Sequence, residues 1–136
     1  MANEYALAIT EHVKEQQSDL EQIKATLESR MWTRVERRAA ERIIQVMVEA
    51  CIGVSKHYLK KQNITTPSDT YKIFLQLAEQ GIITQQELQT WRKVIGMRNA
   101  IVHDYLNLDE RVLANIVQNG LYNTLADFVN KLANEL

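Results

Sequence analysis

A chain of 136 residues with four glycines and one proline has very few places where it can turn sharply. These two residue types make up roughly 12% of an average chain, and folds built from many short strands draw on them at almost every connection. A sandwich or barrel would here lack its turn residues, and the short Val/Ile strands alternating with helices that a βαβ fold needs are also missing. What remains is an all-α protein. Its length fits one domain over residues 1–136, since single domains most often run to roughly 100–150 residues.

Capping signals place the helices. A first helix is expected from about Asn3 to Glu28, with a narrow stripe of Ile9, Val13, Leu20, Ile23 and Leu27. Thr33-Arg34-Val35-Glu36 is a capping box that opens a second helix reaching about Gln62. Its apolar arc is wide: Val35, Ala39, Ile43, Val46, Ala50 and Val54 on one face, Ala40, Ile44, Met47, Cys51 and Tyr58 on the next. Such an arc suits a central helix or one that also meets a second chain, and Gly53 permits a close approach there. Thr66-Pro67-Ser68-Asp69 reads as an N-cap, a first-turn proline and an acidic residue ahead of a short third helix that stops at Gly81. Thr84-Gln85-Gln86-Glu87 opens a fourth, with Leu88, Trp91, Ile95 and Val102 inward. A fifth, from Asn107 or Asp109, keeps Leu113, Val117, Leu121, Leu125, Phe128 and Leu132 in register to the end. Five helices on short loops imply an antiparallel bundle.

The single cysteine, Cys51, allows no internal disulfide and reads as a buried small hydrophobe. Asn3 and Glu4 stand where a secretory leader would be basic, and no apolar run reaches the roughly 18 residues of a membrane span, so a cytoplasmic protein with no membrane partner is expected. A net charge of −1 supplies no global field for nucleic acid, so such a partner must be held locally. His12 has no second histidine at ligand spacing, His57 suits a helix C-terminus, and Trp32 and Trp91 read as core. No metal site and no cofactor is expected.

The informative stretch is Met97-Arg98-Asn99-Ala100-Ile101-Val102-His103-Asp104-Tyr105. Arg98 falls seven residues after Trp91, four after Val94 and three before Ile101, where the helical period expects an apolar side chain. A charge there needs a carboxylate, a cleft or an anionic ligand. His103 lies five residues on, roughly 140° further round the helix. The two side chains meet only if the helix loosens near Val102, if Arg98 reaches across, or if two copies of the motif face each other about a two-fold axis. Asn99, at i−4, is placed to hold the imidazole; Asp104 orients it or is a surface residue. The bland alternative is an arginine paired to an acid, a helix-end histidine and a core tyrosine.

Together these residues resemble the Arg-x4-His-x-Tyr motif of the HEPN superfamily, most closely its HepT-type toxins. Val35-Glu36-Arg37-Arg38-Ala39, Pro67 and Leu77-Ala78-Glu79-Gln80-Gly81-Ile82-Ile83 look like that family too, so the likeness covers about residues 30–130. It implies a two-fold dimer whose motifs line one cleft, a metal-independent endoribonuclease toxin, and a minimal nucleotidyltransferase antitoxin that transfers AMP onto Tyr105, with larger assemblies of the two proteins allowed.

The residue types suit that chemistry. Metal-free RNA cleavage needs a base for the 2′-hydroxyl, charge stabilisation for the phosphorane and an acid for the leaving oxygen. Histidine titrates near neutral pH and serves as base or acid; arginine binds two phosphate oxygens and stays charged. The expected products are 2′,3′-cyclic phosphate and 5′-hydroxyl ends. Arg30, Arg34, Arg38 and Arg42 recur every four residues with Arg37 beside them, a stripe that tracks RNA or, interleaved with Glu28, Glu36 and Glu41, a salt-bridged solvated face. The competing reading is a catalytically silent HEPN module that presents nucleotide or protein to a partner transferase; a purely structural helical dimer is the third.

Overall fold

The computed structural model describes residues 3–136, Asn107 by its backbone alone. Six α-helices follow one another: α1 (Glu4–Ser29), α2 (Arg34–Lys61), α3 (Thr70–Glu79), α4 (Gln85–His103), α5 (Glu110–Gln118) and α6 (Tyr122–Ala133), with a single 3-10 turn, Tyr105–Asn107, between α4 and α5. Helix α2 is central and packs against α1, α3, α4 and α6, while α1 also covers α5 and α6. The all-α architecture is the one expected, with six helices in place of five.

Most boundaries sit where the caps put them. The Thr33–Glu36 and Thr84–Glu87 boxes both form, each threonine hydroxyl accepting from the N3 amide and each glutamate from the cap amide. Each such cap stabilises its helix by about 1 kcal/mol. Gly81 takes φ +76° at the end of α3, and the Ile82 amide reaches back to the Leu77 carbonyl at 2.9 Å. Gly53 does permit a close approach: the Tyr5 hydroxyl sits 2.9 Å from where a Cβ would stand. That tyrosine stacks on His57 with ring centroids 3.6 Å apart.

Three details differ from the expectation. Helix α3 starts at Thr70, with Asp69 as its cap accepting from the Lys72 amide at 3.1 Å, so Thr66 and Pro67 lie ahead of the helix. A carboxylate at the positive end of the helix dipole outcompetes a hydroxyl three residues earlier. The last expected helix is broken at Gly120, φ +66°, where the Leu121 amide returns to the Ile116 carbonyl at 2.9 Å and closes α5. Leu121 is thereby turned out, 46% exposed. Val102, expected inside, is 42% exposed because α4 has passed its last packed turn.

The core is continuous. Leu20, Ile44, Met47, Leu59, Phe74, Leu113, Tyr122 and Leu132 are fully buried. Phe74 stacks on Trp91 at 4.4 Å and Phe128 tilts against the same indole at 4.6 Å, which clamps the middle of α4. The N-terminal end of the wide α2 face has no such cover: Val35 is 73% exposed.

Candidate functional site

The Trp91 clamp, together with buried Ile95 and Met97, fixes the rotation of α4 and so decides where the next side chains emerge. Arg98 emerges toward α2 and α3. Its Nη2 donates to Thr70 Oγ1 at 3.1 Å, and its Nε lies 3.4 Å from Glu49 Oε1, an ion pair without hydrogen-bond alignment. The arginine side chain is 14% exposed and that of Glu49 48%. Arg98 thus has the carboxylate partner that its awkward position demands, with an acid that stays half in water.

Helix α4 is regular through His103, so loosening near Val102 does not occur. Nor does Arg98 reach across, since its polar contacts run to Glu49 and Thr70. Within one chain the structure does not join Arg98 to His103. It also forms no hydrogen bond between Asn99 and His103 among the described residues; both are exposed. Asp104 ends the helix, its amide bonded to the Ala100 carbonyl at 3.0 Å, and its φ of −143° turns the chain out of the helical path.

That turn delivers Tyr105 back onto α2. The phenol donates to Glu41 Oε2 at 3.4 Å, and Arg37 Nε stands 3.5 Å from the same oxygen. Arg37 is also paired to Glu110 at the start of α5. Glu41 is 5% exposed, whereas Tyr105 keeps 42% of its surface in solvent. The ring divides two grooves. One, about 330 Å³, is bordered by Arg38, Glu41, Arg42, Gln45 and Ile101; the other, about 190 Å³, by Arg37, Glu41, Leu106, Leu108 and Glu110.

The arginine stripe splits into two kinds. Arg30 is forked onto Glu36 at 2.8 and 2.9 Å, and this contact, with the Thr33 amide, holds the Glu36 carboxyl at about 2. Arg37 is likewise used internally. Arg34, Arg38 and Arg42 are exposed and form no ion pair among the described residues, and the last two flank Tyr105. Glu41, grouped by sequence with a solvated face, is instead a buried member of the site. Its spacing carried the signal, three residues before Ile44 and seven before Val48, both wholly buried.

Cys51 is fully buried, its thiol pushed up by desolvation, and Trp91 is a core residue; Trp32 packs half-buried at the edge. Among the described residues no three His, Cys, Asp or Glu side chains gather as a metal-holding group, and no helix is long and apolar enough to cross a membrane.

Residues 7–132 match the family model described as Ribonuclease HepT-like. Over 78 residues the chain is 33% identical to the mRNA nuclease HepT of Shewanella oneidensis, covering 57% of this chain and 59% of that protein. Over 69 residues it is 28% identical to the tRNA nuclease HepT of Aphanizomenon flos-aquae, 51% of this chain and 47% of that protein. The matched stretch therefore spans about half the length of these curated relatives. Among solved structures, the tri-AMPylated Shewanella oneidensis HEPN toxin in complex with MNT antitoxin has the same fold, with a TM-score of 0.79 and 22% identity over 95% of this chain and 98% of that one.

Proposed function

Since the chain belongs to the Ribonuclease HepT-like family, we propose that it is a single-domain toxin that cleaves RNA in the cytoplasm and is silenced by a minimal nucleotidyltransferase antitoxin. The observation that carries this reading is that one clamped helix bears Arg98 and ends on an exposed His103, then hands an exposed Tyr105 to a cation-lined groove. A relative named as an mRNA nuclease and a tri-AMPylated structural neighbour support the same assignment.

Two copies complete the site. Val102 and Leu106, beside His103 and Tyr105 in the chain, are 42% and 96% exposed, and Val35 at the start of α2 is 73% exposed, apolar surface that a two-fold partner covers. Arg98 of one chain then faces His103 of the other. Its tie to Glu49 is no barrier, because a pair with a half-exposed acid is cheap to exchange for a phosphate. One imidazole takes the 2′-hydroxyl proton, the guanidinium forks onto the phosphorane oxygens, and the second imidazole protonates the departing 5′-oxygen. Asn99 and Asp104 position the ring in the assembled site, and Arg34, Arg38 and Arg42 follow the RNA backbone. AMP added to Tyr105 puts a phosphodiester and a purine where RNA has to lie.

The experiment is cleavage of a defined RNA by purified protein in EDTA, with analysis of the ends. Cyclic phosphate and 5′-hydroxyl ends, lost in Arg98→Ala and His103→Ala, are expected; 3′-hydroxyl products or abolition by EDTA overturn the mechanism. One observation favours a second reading, a silent module that presents nucleotide or protein to the transferase: Arg98 is engaged by Glu49 and Thr70 of its own chain. RNA left intact by the wild-type protein decides for that module.

A further inference from the structure

Glu41 and Ser55 are the two buried polar or charged residues among those described. Ser55 is accounted for by its bond to the Cys51 carbonyl at 2.7 Å within α2. Glu41 is a carboxylate taken out of water, which is costly unless something uses it. Arg37 does not need it: that guanidinium is already paired to Glu110, so the trio Arg37, Glu41 and Glu110 holds one negative charge in excess. Arg37 Nε stands 3.5 Å from Glu41 Oε2 without hydrogen-bond alignment, and the hydrogen bond that this oxygen accepts comes from the Tyr105 hydroxyl at 3.4 Å. Hydrogen bonds of catalytic groups are often long until a reactant is bound and then tighten.

We infer that Glu41 is the general base that activates Tyr105 for nucleotide transfer, so that the acceptor protein itself supplies the base for its own modification. The inference rests on the reading of Tyr105 as the AMP acceptor. In the step, Tyr105 Oη attacks the α-phosphorus of a nucleoside triphosphate brought by the partner transferase. The bond from the α-phosphorus to the αβ-bridging oxygen breaks, and pyrophosphate leaves with the electron pair. The phenolic proton passes to Glu41 Oε2 and then to solvent. Glu41 touches the reacting oxygen and is catalytic in this sense. Arg38 and Arg42, at the mouth of the same groove, stand where the departing polyphosphate charge develops.

The test follows AMP incorporation from ATP into the full chain by the minimal nucleotidyltransferase of the same organism, with the modified residue located by mass spectrometry. Glu41→Gln keeps the acceptor oxygen for the phenol and loses the basicity; transfer is expected to slow by about 10²-fold or more. Glu41→Asp keeps a charge opposite Arg37 but withdraws it by one methylene, and is expected to slow transfer less, about tenfold. A wild-type rate in either variant overturns the inference and leaves Glu41 as a tie between α2 and the 3-10 turn. Wild-type protein that takes up no AMP, or Tyr105→Phe labelled like wild type, removes the acceptor reading and the base with it. Labelling confined to Tyr105 with full-rate Glu41→Gln removes the base alone.

Discussion

Two corners of this molecule are built from the same pair of residue types and put to opposite uses. At the α1–α2 corner, Arg30 forks onto Glu36 at 2.8 and 2.9 Å, and Glu36 in turn closes the capping box with Thr33. Both Arg30 Nη atoms and the Thr33 and Glu36 amides are aimed at partners within the corner. At the α4 exit, Arg37 and Glu41 sit 3.5 Å apart, a buried Arg37 Nε has no aligned acceptor, and the tyrosine they hold is 42% exposed. The first corner fixes a chain reversal. The second leaves a partly exposed phenol beside a groove on longer, less aligned contacts, which on the proposed reading a substrate replaces. Charge pairs alone therefore say little about use; how completely they satisfy each other says more.

The comparison breaks most visibly on activity. His103→Ala is expected to lower RNA cleavage by about 10²–10⁴-fold, with no change in melting temperature because the side chain is exposed. A large fall in melting temperature would make the α4 exit a structural corner like the other. Next, the double change Arg38→Ala with Arg42→Ala should weaken binding of single-stranded RNA and flatten its salt dependence by about 0.7 in log–log slope per lost phosphate contact. Arg30→Ala should leave that slope alone, and an equal effect of both variants erases the distinction between free and internally paired arginines.

A smaller effect belongs to the first corner. Thr33→Ala should lower stability by about 1 kcal/mol in urea unfolding with cleavage intact. The smallest is its pH signature. The Glu36 carboxyl is held at about 2, chiefly by the Arg30 guanidinium, against roughly 4.3 in an unfolded chain. The unfolded state thus binds more protons, so this contribution is present above about pH 4.5 and fades as pH falls toward 2. Glu36→Gln should remove that part of the acid slope; an unaltered slope would show the corner to be incidental.

The fold was readable because its signals are local. Thr33 with Glu36, Thr84 with Glu87, and Gly81 each act within one turn, so their sequence meaning survives into three dimensions. Gly120 has the same kind of meaning, but the apolar register of Leu113, Val117 and Leu125 runs across it and masks the break. The site was readable only where residues follow one another along α4. Glu41, Glu49 and Thr70 come from other elements and were invisible as partners, because nothing in their own neighbourhood records that Tyr105 and Arg98 arrive beside them. Arg98 was found by its wrongness for its position; the acid that answers it was not.

The unbroken winding of α4 through His103 also sorts the chain by where it tolerates a change of length. An extra residue in the stretch between α2 and α3 is absorbed by irregular backbone at little cost. One inserted between Arg98 and His103 would swing the imidazole by about 100° and carry it about 1.5 Å along the axis. The connections of this chain can therefore change length at little cost, while the count of four residues between Arg98 and His103 is tied to the arithmetic of the helical turn.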